Sequence, residues 1–406
     1  MSFDVIVKRR VAGAENPASP TQYLIALLMG IHFLIAPFEM VFASEFGTLS
    51  RYVGFMVIVL VLLDALNTKK FRANRAVVYL AAWMIMALIS GLWAVSEIEW
   101  QRHVAIYLRN AVFLVAVGHI RWRPQHLDLL TQFATLGAVA AAVTILFSPT
   151  SDLGLQGRQS IQLLGTSLDP NYLAGILLIP ALVLVAALRG RKKWWLANLL
   201  FLGLILSAML LTGSRGGFLA LSLGALVVMF GKYTNVVLPK QRMNRKLLAW
   251  SGVALIVLVS FSYLPSEIQA RYSLHGLMGG DNQGAYRLII WGHAMRLFFY
   301  SPFAGIGVGS FATSMVSGFR YVGAHNMFLL VLIETGIIGL LLFLAFLFSL
   351  LRQLHAQSNS LGLGVLFGTL VLSFFLDALT AKFLWNGIIF SVLVLASPRP
   401  DQFGST

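Results

Sequence analysis

The chain has 406 residues, of which 58% are hydrophobic and only 11% charged, against roughly a quarter charged in soluble globular proteins. With a mean hydropathy of +0.81, that balance excludes disordered, collagenous and coiled-coil classes and describes a membrane protein. The absence of cysteine excludes a disulfide framework, a zinc knuckle and a thiol nucleophile, while the net charge of +15 says nothing about partners until it is located along the chain.

The first twenty residues are polar and basic, and the apolar run behind them is too long for a signal-peptide core. This predicts an uncleaved first helix with a cytoplasmic amino terminus. Runs of about 17 to 25 apolar residues, with shorter ones admitted where neighbours pack against them, predict an all-α integral membrane fold of about 12 transmembrane helices. They fall at 23–42, 52–66, 76–95, 104–120, 127–147, 172–188, 194–211, 216–230, 247–264, 326–351, 361–375 and 383–395. Helices 1 to 9 thus occupy residues 1–264, a large periplasmic loop 265–324, helices 10 to 12 residues 325–397, and a cytoplasmic tail 398–406.

Alternating from an inside start, cytoplasmic segments gather twenty of the thirty Lys and Arg residues, including Lys8 to Arg10, Lys69 to Arg75, Arg189 to Lys193 and Lys232 to Lys246. The excess charge is then topological, with both termini cytoplasmic, and no nucleic-acid partner is implied. Of the ten cations left outside, nine are arginine: Arg51, Arg102, Arg109, Arg158, Arg215, Arg271, Arg287, Arg296 and Arg320, beside Lys382. A planar guanidinium grips phosphate through two donors and keeps its charge when partly dehydrated. Pairing with Glu97, Glu99, Asp152, Asp169 or Asp281 is the equally weighted ordinary reading.

Two outer loops are long, 148–171 and 265–324, and loops of such length commonly carry a site. Within the second, 285–299 reads as a lateral helix, with Arg287, Trp291 and Ala294 at i, i+4 and i+7 and with Leu288, Ile289 and Leu297 free to rest on the bilayer edge. Pro302 ends it.

His325, followed by Asn326, stands where that loop meets the tenth span, at a boundary where a near-neutral imidazole can exchange a proton with a hydroxyl. A structural hydrogen-bonding role is the competing reading. Glu334 is isolated in apolar sequence, which marks it as functional or architectural. It lies nine residues on, about 900° of rotation and roughly 13 Å of rise from His325, so we expect it to bond a neighbouring backbone or polar side chain, with Gly336 and Gly339 permitting close helix approach. Arg215, in Thr212-Gly213-Ser214-Arg215-Gly216-Gly217, is expected in a tight turn whose glycines leave room for a large anion.

Other apparent motifs are set aside. Gly305-Ile306-Gly307-Val308-Gly309 lacks a preceding strand and reads as a loop turn rather than a nucleotide site. Glu97-Ile98-Glu99 reads as a solvated turn rather than a metal site. No metal and no cofactor is therefore expected.

Taken in order, Asp169-Pro170-Asn171 with Ala174, Gly213 to Gly217, Arg287 with Trp291, Pro302 through Gly309, and His325-Asn326 with Glu334, Gly336 and Gly339 resemble the bacterial O-antigen ligase and O-antigen polymerase superfamily of polytopic glycosyltransferases. The resemblance covers about 169–343. It implies an inverting, metal-independent glycosyltransferase in the bacterial inner membrane that faces the periplasm. Such an enzyme moves a glycan from undecaprenyl pyrophosphate to an acceptor glycan or lipid A core, among membrane lipids. His325 takes the family's base role, Arg215 and Arg287 bind the diphosphate, and Asn326, Glu334, Asn171, Trp291 and Arg158 are supporting candidates. Ligases often carry threonines where this chain has Leu340, Leu341 and Leu342, so polymerase leads over ligase. A lipid-linked oligosaccharide flippase and a non-catalytic assembly subunit are the competing classes, and the clustering of candidates at outer span ends favours the transferase.

Overall fold

The computed structural model describes residues 20–39, 48–68, 74–120, 122–148, 158–163, 166–189, 194–231, 251–252, 257–273, 283–314 and 323–397. These residues are helical, with irregular connections and one short antiparallel pair, β1 (Gln162–Leu163) with β2 (Thr166–Ser167). The first half holds α1 (Pro20–Ile35), α2 (Leu49–Thr68), α3 (Ala76–Ile89), α4 (Glu97–His119), α5 (Pro124–Phe147), α6 (Pro170–Leu188), α7 (Trp195–Leu211) and α8 (Arg215–Phe230). Then come the short α9 (Ser266–Tyr272), α10 (Gln283–Tyr300) and α11 (Ser310–Ser314), followed by α12 (Met327–Ala356), α13 (Ser360–Ser373) and α14 (Lys382–Leu395).

Five stretches, Pro20–Phe38, Leu49–Asn67, Pro124–Phe147, Pro170–Leu188 and Met327–Ala356, are long and apolar enough to cross a membrane, and α7, α8, α13 and α14 are shorter apolar helices. Eleven of the twelve expected apolar runs coincide with helices. The ninth, 247–264, is described only in part, and the basic clusters at 8–10, 69–72, 191–193 and 232–246, Arg121, Asp152, Asp281, Arg320 and the tail 398–406 lie outside the described residues.

Cap residues explain where several helices begin. Ser96 accepts the Glu99 N–H at the start of α4, so Glu97-Ile98-Glu99 forms a first helical turn rather than the expected loop turn. Carboxylates there are favoured by the unpaired N–H groups of the helix end. Asp169 accepts from the N–H groups of Asn171 and Tyr172 before α6, Ser214 from Gly217 before α8, and Asn326 from Leu329 before α12. Each such cap contributes roughly 1 kcal/mol.

Lipid is as apolar as leucine, so helix association depends on close fit and small residues. A Cβ on Gly224 of α8 would come within 2.9 Å of the Gly364 carbonyl of α13, and one on Gly364 within 2.7 Å of the Gly224 carbonyl. Facing glycines therefore bring these two backbones together. Large aromatics fill another seam: the Trp83 ring lies 5.5 Å from Tyr107 and 5.0 Å from Phe343, joining α3, α4 and α12. Phe55, Leu66, Phe147, Phe230 and Phe348 point outward, as lipid-facing side chains do.

Within α12 the backbone breaks at Gly336, where φ is +67° and ψ −173°. The expected helix approach at this glycine is replaced by a loop: a Cβ there would meet the Phe303 carbonyl oxygen at 2.1 Å. Four N–H groups stitch the contact, from Ile306 to the Ile333 carbonyl at 2.9 Å, Gly307 to Glu334 at 3.0 Å, Ile337 to Pro302 at 2.9 Å and Ile338 to Phe303 at 3.4 Å. The glycine-rich run is thus a docked turn, with Gly305, Gly307 and Gly309 all at positive φ. At Gly339, a Cβ would meet the Thr335 hydroxyl of its own helix at 2.0 Å.

Candidate active site

Residues 323–326 enter α12 in a conformation that sequence alone does not favour. His325 has φ +50°, in the left-handed region that costs a side-chain-bearing residue about 1–2 kcal/mol. Asp377, in the connection between α13 and α14, is the anchor. Its Oδ2 accepts the His325 N–H at 3.1 Å, and the Ala324 and Asn326 N–H groups act electrostatically on the same carboxylate in favour of its charge. Successive N–H groups turned toward one centre form an anion-binding concavity. Gly323 is required for the approach, since a Cβ there would lie 1.7 Å from Oδ2.

From the opposite side, the Trp291 indole N–H of α10 donates to the Ala324 carbonyl at 2.9 Å. The segment carrying His325 is therefore clamped between the lateral helix and the α13–α14 connection. Burial holds the His325 imidazole below its ordinary value of 6.5; Asp377 opposes that, Arg287 reinforces it, and Asp169 opposes it more weakly. Burial likewise raises Asp377, against the N–H groups that stabilise its charge.

Arg287 sits half-buried on α10, within electrostatic reach of His325. The helix runs from Gln283 to Tyr300, enclosing the expected 285–299. Its inward face is Ile290 and Ala294, with Leu288 and Ile289 exposed. Leu297 departs from expectation by packing on a small cluster with Ile290, Ile306 and Phe311 instead of facing the bilayer edge.

A second cationic group surrounds the turn before α8. The buried Arg158 donates through Nε to the Thr212 carbonyl at 2.8 Å and through Nη2 to Asn171 Oδ1 at 2.9 Å. Burial first, then the neighbouring Arg271 cation, lower Arg158 to about 10, so it stays charged at neutral pH. Arg215 and Tyr272 lie within the same field, and burial raises the Tyr272 phenol to about 12 despite three arginines. Gly213, at φ +59°, leaves room for the arginines: a Cβ would lie 3.2 Å from Arg158 Cγ and 3.5 Å from Arg271 Nε. Gly216 and Gly217 instead accommodate Phe375 and Ala174, at 3.1 and 2.7 Å, which corrects the expectation that they clear space around Arg215.

The start of α6 links the two groups. Asn171 binds Arg158, Asp169 acts electrostatically on both Arg158 and His325, and the Tyr172 hydroxyl donates to the Asp377 carbonyl at 3.5 Å. All these residues lie at one end of the bundle. Asn326 is the α12 cap. Glu334 is apart and buried, its Oε1 accepting the Phe311 N–H at 3.4 Å, which is the backbone-bonding role expected of it. Sequence reasoning passed over Asp377 and gave Arg271 no role. The signal for Asp377 was a lone carboxylate between two apolar runs.

The class these observations define is a helical membrane protein with an imidazole and an arginine group at one end of its bundle. Residues 200–344, about a third of the chain, match the O-antigen ligase family. The matched segment contains Arg215, Arg271, Arg287, Trp291, His325, Asn326 and Glu334, whereas Arg158, Asn171 and Asp377 lie outside it. No curated protein matches the chain. One chain of a solved structure described as "Structural coordination of polymerization and crosslinking by a peptidoglycan synthase complex" is similar at a TM-score of 0.45 and 18% identity, over 80% of this chain and 98% of that one.

Proposed function

We propose that the protein is an inverting glycosyltransferase of the O-antigen polymerase type, taking its glycan from undecaprenyl pyrophosphate at the periplasmic face of the inner membrane. The acceptor hydroxyl oxygen attacks the anomeric carbon, the bond from that carbon to the pyrophosphate oxygen breaks, and His325 takes the hydroxyl proton. Arg287 and Arg215, with Arg158 and Arg271 behind Arg215, stabilise the charge gathering on the departing pyrophosphate. The observation that carries the reading is the clamped His325, close to Arg287 and joined through Asp169 and Asn171 to the Arg158 cluster. No metal or nucleotide enters the scheme.

The polymerase reading rests on Leu340, Leu341 and Leu342 in place of threonines; transfer to lipid A core is the second reading, favoured by the family match. Purified protein reconstituted with lipid-linked donor tests both. Released undecaprenyl pyrophosphate with ladders of lengthened product supports polymerase, strict dependence on lipid A core supports ligase, and leaflet exchange without cleavage sinks the transferase reading.

A further inference from the structure

Away from His325, the aromatic seam between α3, α4 and α12 encloses two hydrogen-bond donors. Trp83 and Tyr107 are each 0% exposed, so neither lipid nor bulk solvent reaches them. Among the described residues, none accepts from the Trp83 Nε1–H and none bonds the Tyr107 hydroxyl. Phe343 closes the seam beside Trp83, and the His103 ring closes it beside Tyr107, meeting that ring edge-on at 6.3 Å. The His103 Nδ1 is directed elsewhere, 2.8 Å from the Glu99 carbonyl of its own helix. The docked turn covers this side, since a Cβ on Gly309 would lie 3.1 Å from the same nitrogen.

A buried donor without an acceptor costs free energy wherever water is excluded. Of the two carboxylates that act electrostatically on Tyr107, Glu334 acts more strongly than Asp377, and Glu334 is itself buried. Its Oε1 already accepts the Phe311 N–H of the docked turn at 3.4 Å, but a carboxylate has about four acceptor positions. Whatever joins these three groups must accept from two donors, donate to an anion and fit among closed rings. A metal cation has no lone pair for an N–H, and an anion is repelled by Glu334. Water meets every requirement: its two lone pairs take the indole and phenol hydrogens, and its own hydrogens go to the carboxylate.

We propose that an internal water molecule is bound between the Trp83 Nε1–H, the Tyr107 hydroxyl and the Glu334 carboxylate, tying α3 and α4 to the same side chain that receives the docked turn. Trp83 and Tyr107 are then positioning residues for that turn, acting through Glu334. The test uses purified full-length protein in detergent, mixed into heavy-oxygen water and given millisecond X-ray pulses at increasing delays, with oxidised side chains read by mass spectrometry. Hydroxyl radicals formed from a held water oxidise the groups beside it, so Trp83 and Tyr107 should be oxidised despite their burial, while Phe390, 1% exposed in the core, should not. Both should take up heavy oxygen more slowly than Tyr300, which is 87% exposed. Tyr107→Phe, which keeps the ring and removes one donor, should abolish oxidation of Trp83, and Glu334→Gln, whose remaining oxygen serves the Phe311 N–H, should do the same. Trp83 and Tyr107 left unoxidised in the unaltered protein would show a dry seam and overturn the site. Undiminished Trp83 oxidation in both folded variants removes the assigned partners, and heavy-oxygen uptake as fast as at Tyr300 replaces a bound water with an open channel.

Discussion

The carboxylate of Asp377 receives the backbone N–H of His325 at 3.1 Å across 52 residues of sequence. Because that bond secures the main chain of His325 rather than its ring, Asp377 is a positioning residue. Replacement by alanine leaves the His325 N–H without its acceptor, at about 1–3 kcal/mol where water cannot reach it. Displacing the imidazole by about 1 Å is on the order of a hundredfold in rate. Asp377→Ala should therefore lower both the melting temperature and transfer from lipid-linked donor, with Asp377→Asn recovering most of the stability. Normal turnover in Asp377→Ala would remove it from the site.

The pH profile separates base catalysis from positioning. A neutral imidazole is the form that accepts a proton, so activity is present above the His325 pKa and lost as pH falls through it. Burial puts that midpoint below 6.5. Arg287→Gln removes a cation that disfavours imidazolium and should move the acidic limb upward, whereas Asp377→Asn removes a favourable anion and should move it down. Rate against pH for the three proteins gives the answer; coincident limbs assign the titration to another group.

Arg158 and Arg215 should respond differently to loss. Arg158→Gln disturbs two internal hydrogen bonds, to Thr212 and Asn171, so it should cost roughly 1–3 kcal/mol in stability as well as donor affinity. Arg215→Gln, at the half-buried first position of α8, should change stability by less than about 1 kcal/mol and raise the donor KM by about tenfold. Thermal denaturation beside donor saturation curves checks the contrast, and an unaltered KM in Arg215→Gln counts against its contact with diphosphate.

Glu334 should matter for assembly more than for chemistry. Glu334→Gln keeps an oxygen for the Phe311 N–H and should retain most activity. Glu334→Ala orphans that buried donor and should cost about 1–3 kcal/mol. Gly336→Ala should be worse than either, since both the positive φ and the Phe303 carbonyl oppose a Cβ. Activity abolished in a stably folded Glu334→Gln protein would assign the carboxylate a role in the reaction.

Much of this architecture could be read from sequence because apolar runs act locally. Residues 172–188 and 216–230 are apolar over the lengths of α6 and α8, whereas the caps Asp169 and Ser214 emerged only with the structure. The arginine excess likewise drew attention to Arg158, Arg215 and Arg287. What escaped depends on contacts between distant segments. Nothing near Asp377 says that it meets residues 324–326, and nothing near Gly336 distinguishes helix approach from a docked loop. The lateral helix was legible, but which of its leucines turns inward is decided by Ile306 and Phe311, not by its own periodicity.

The distance in sequence between His325 and Asp377 also sets an order of assembly. At roughly 5–20 residues per second, the ribosome takes about 3 to 10 s to extend the chain across those 52 residues. Throughout that interval α12 can enter the membrane, yet the left-handed turn at its head has no carboxylate to hold it. Completion of the pocket therefore waits on α13 and the connection behind it, and a nascent chain halted after α12 carries His325 without its anchor.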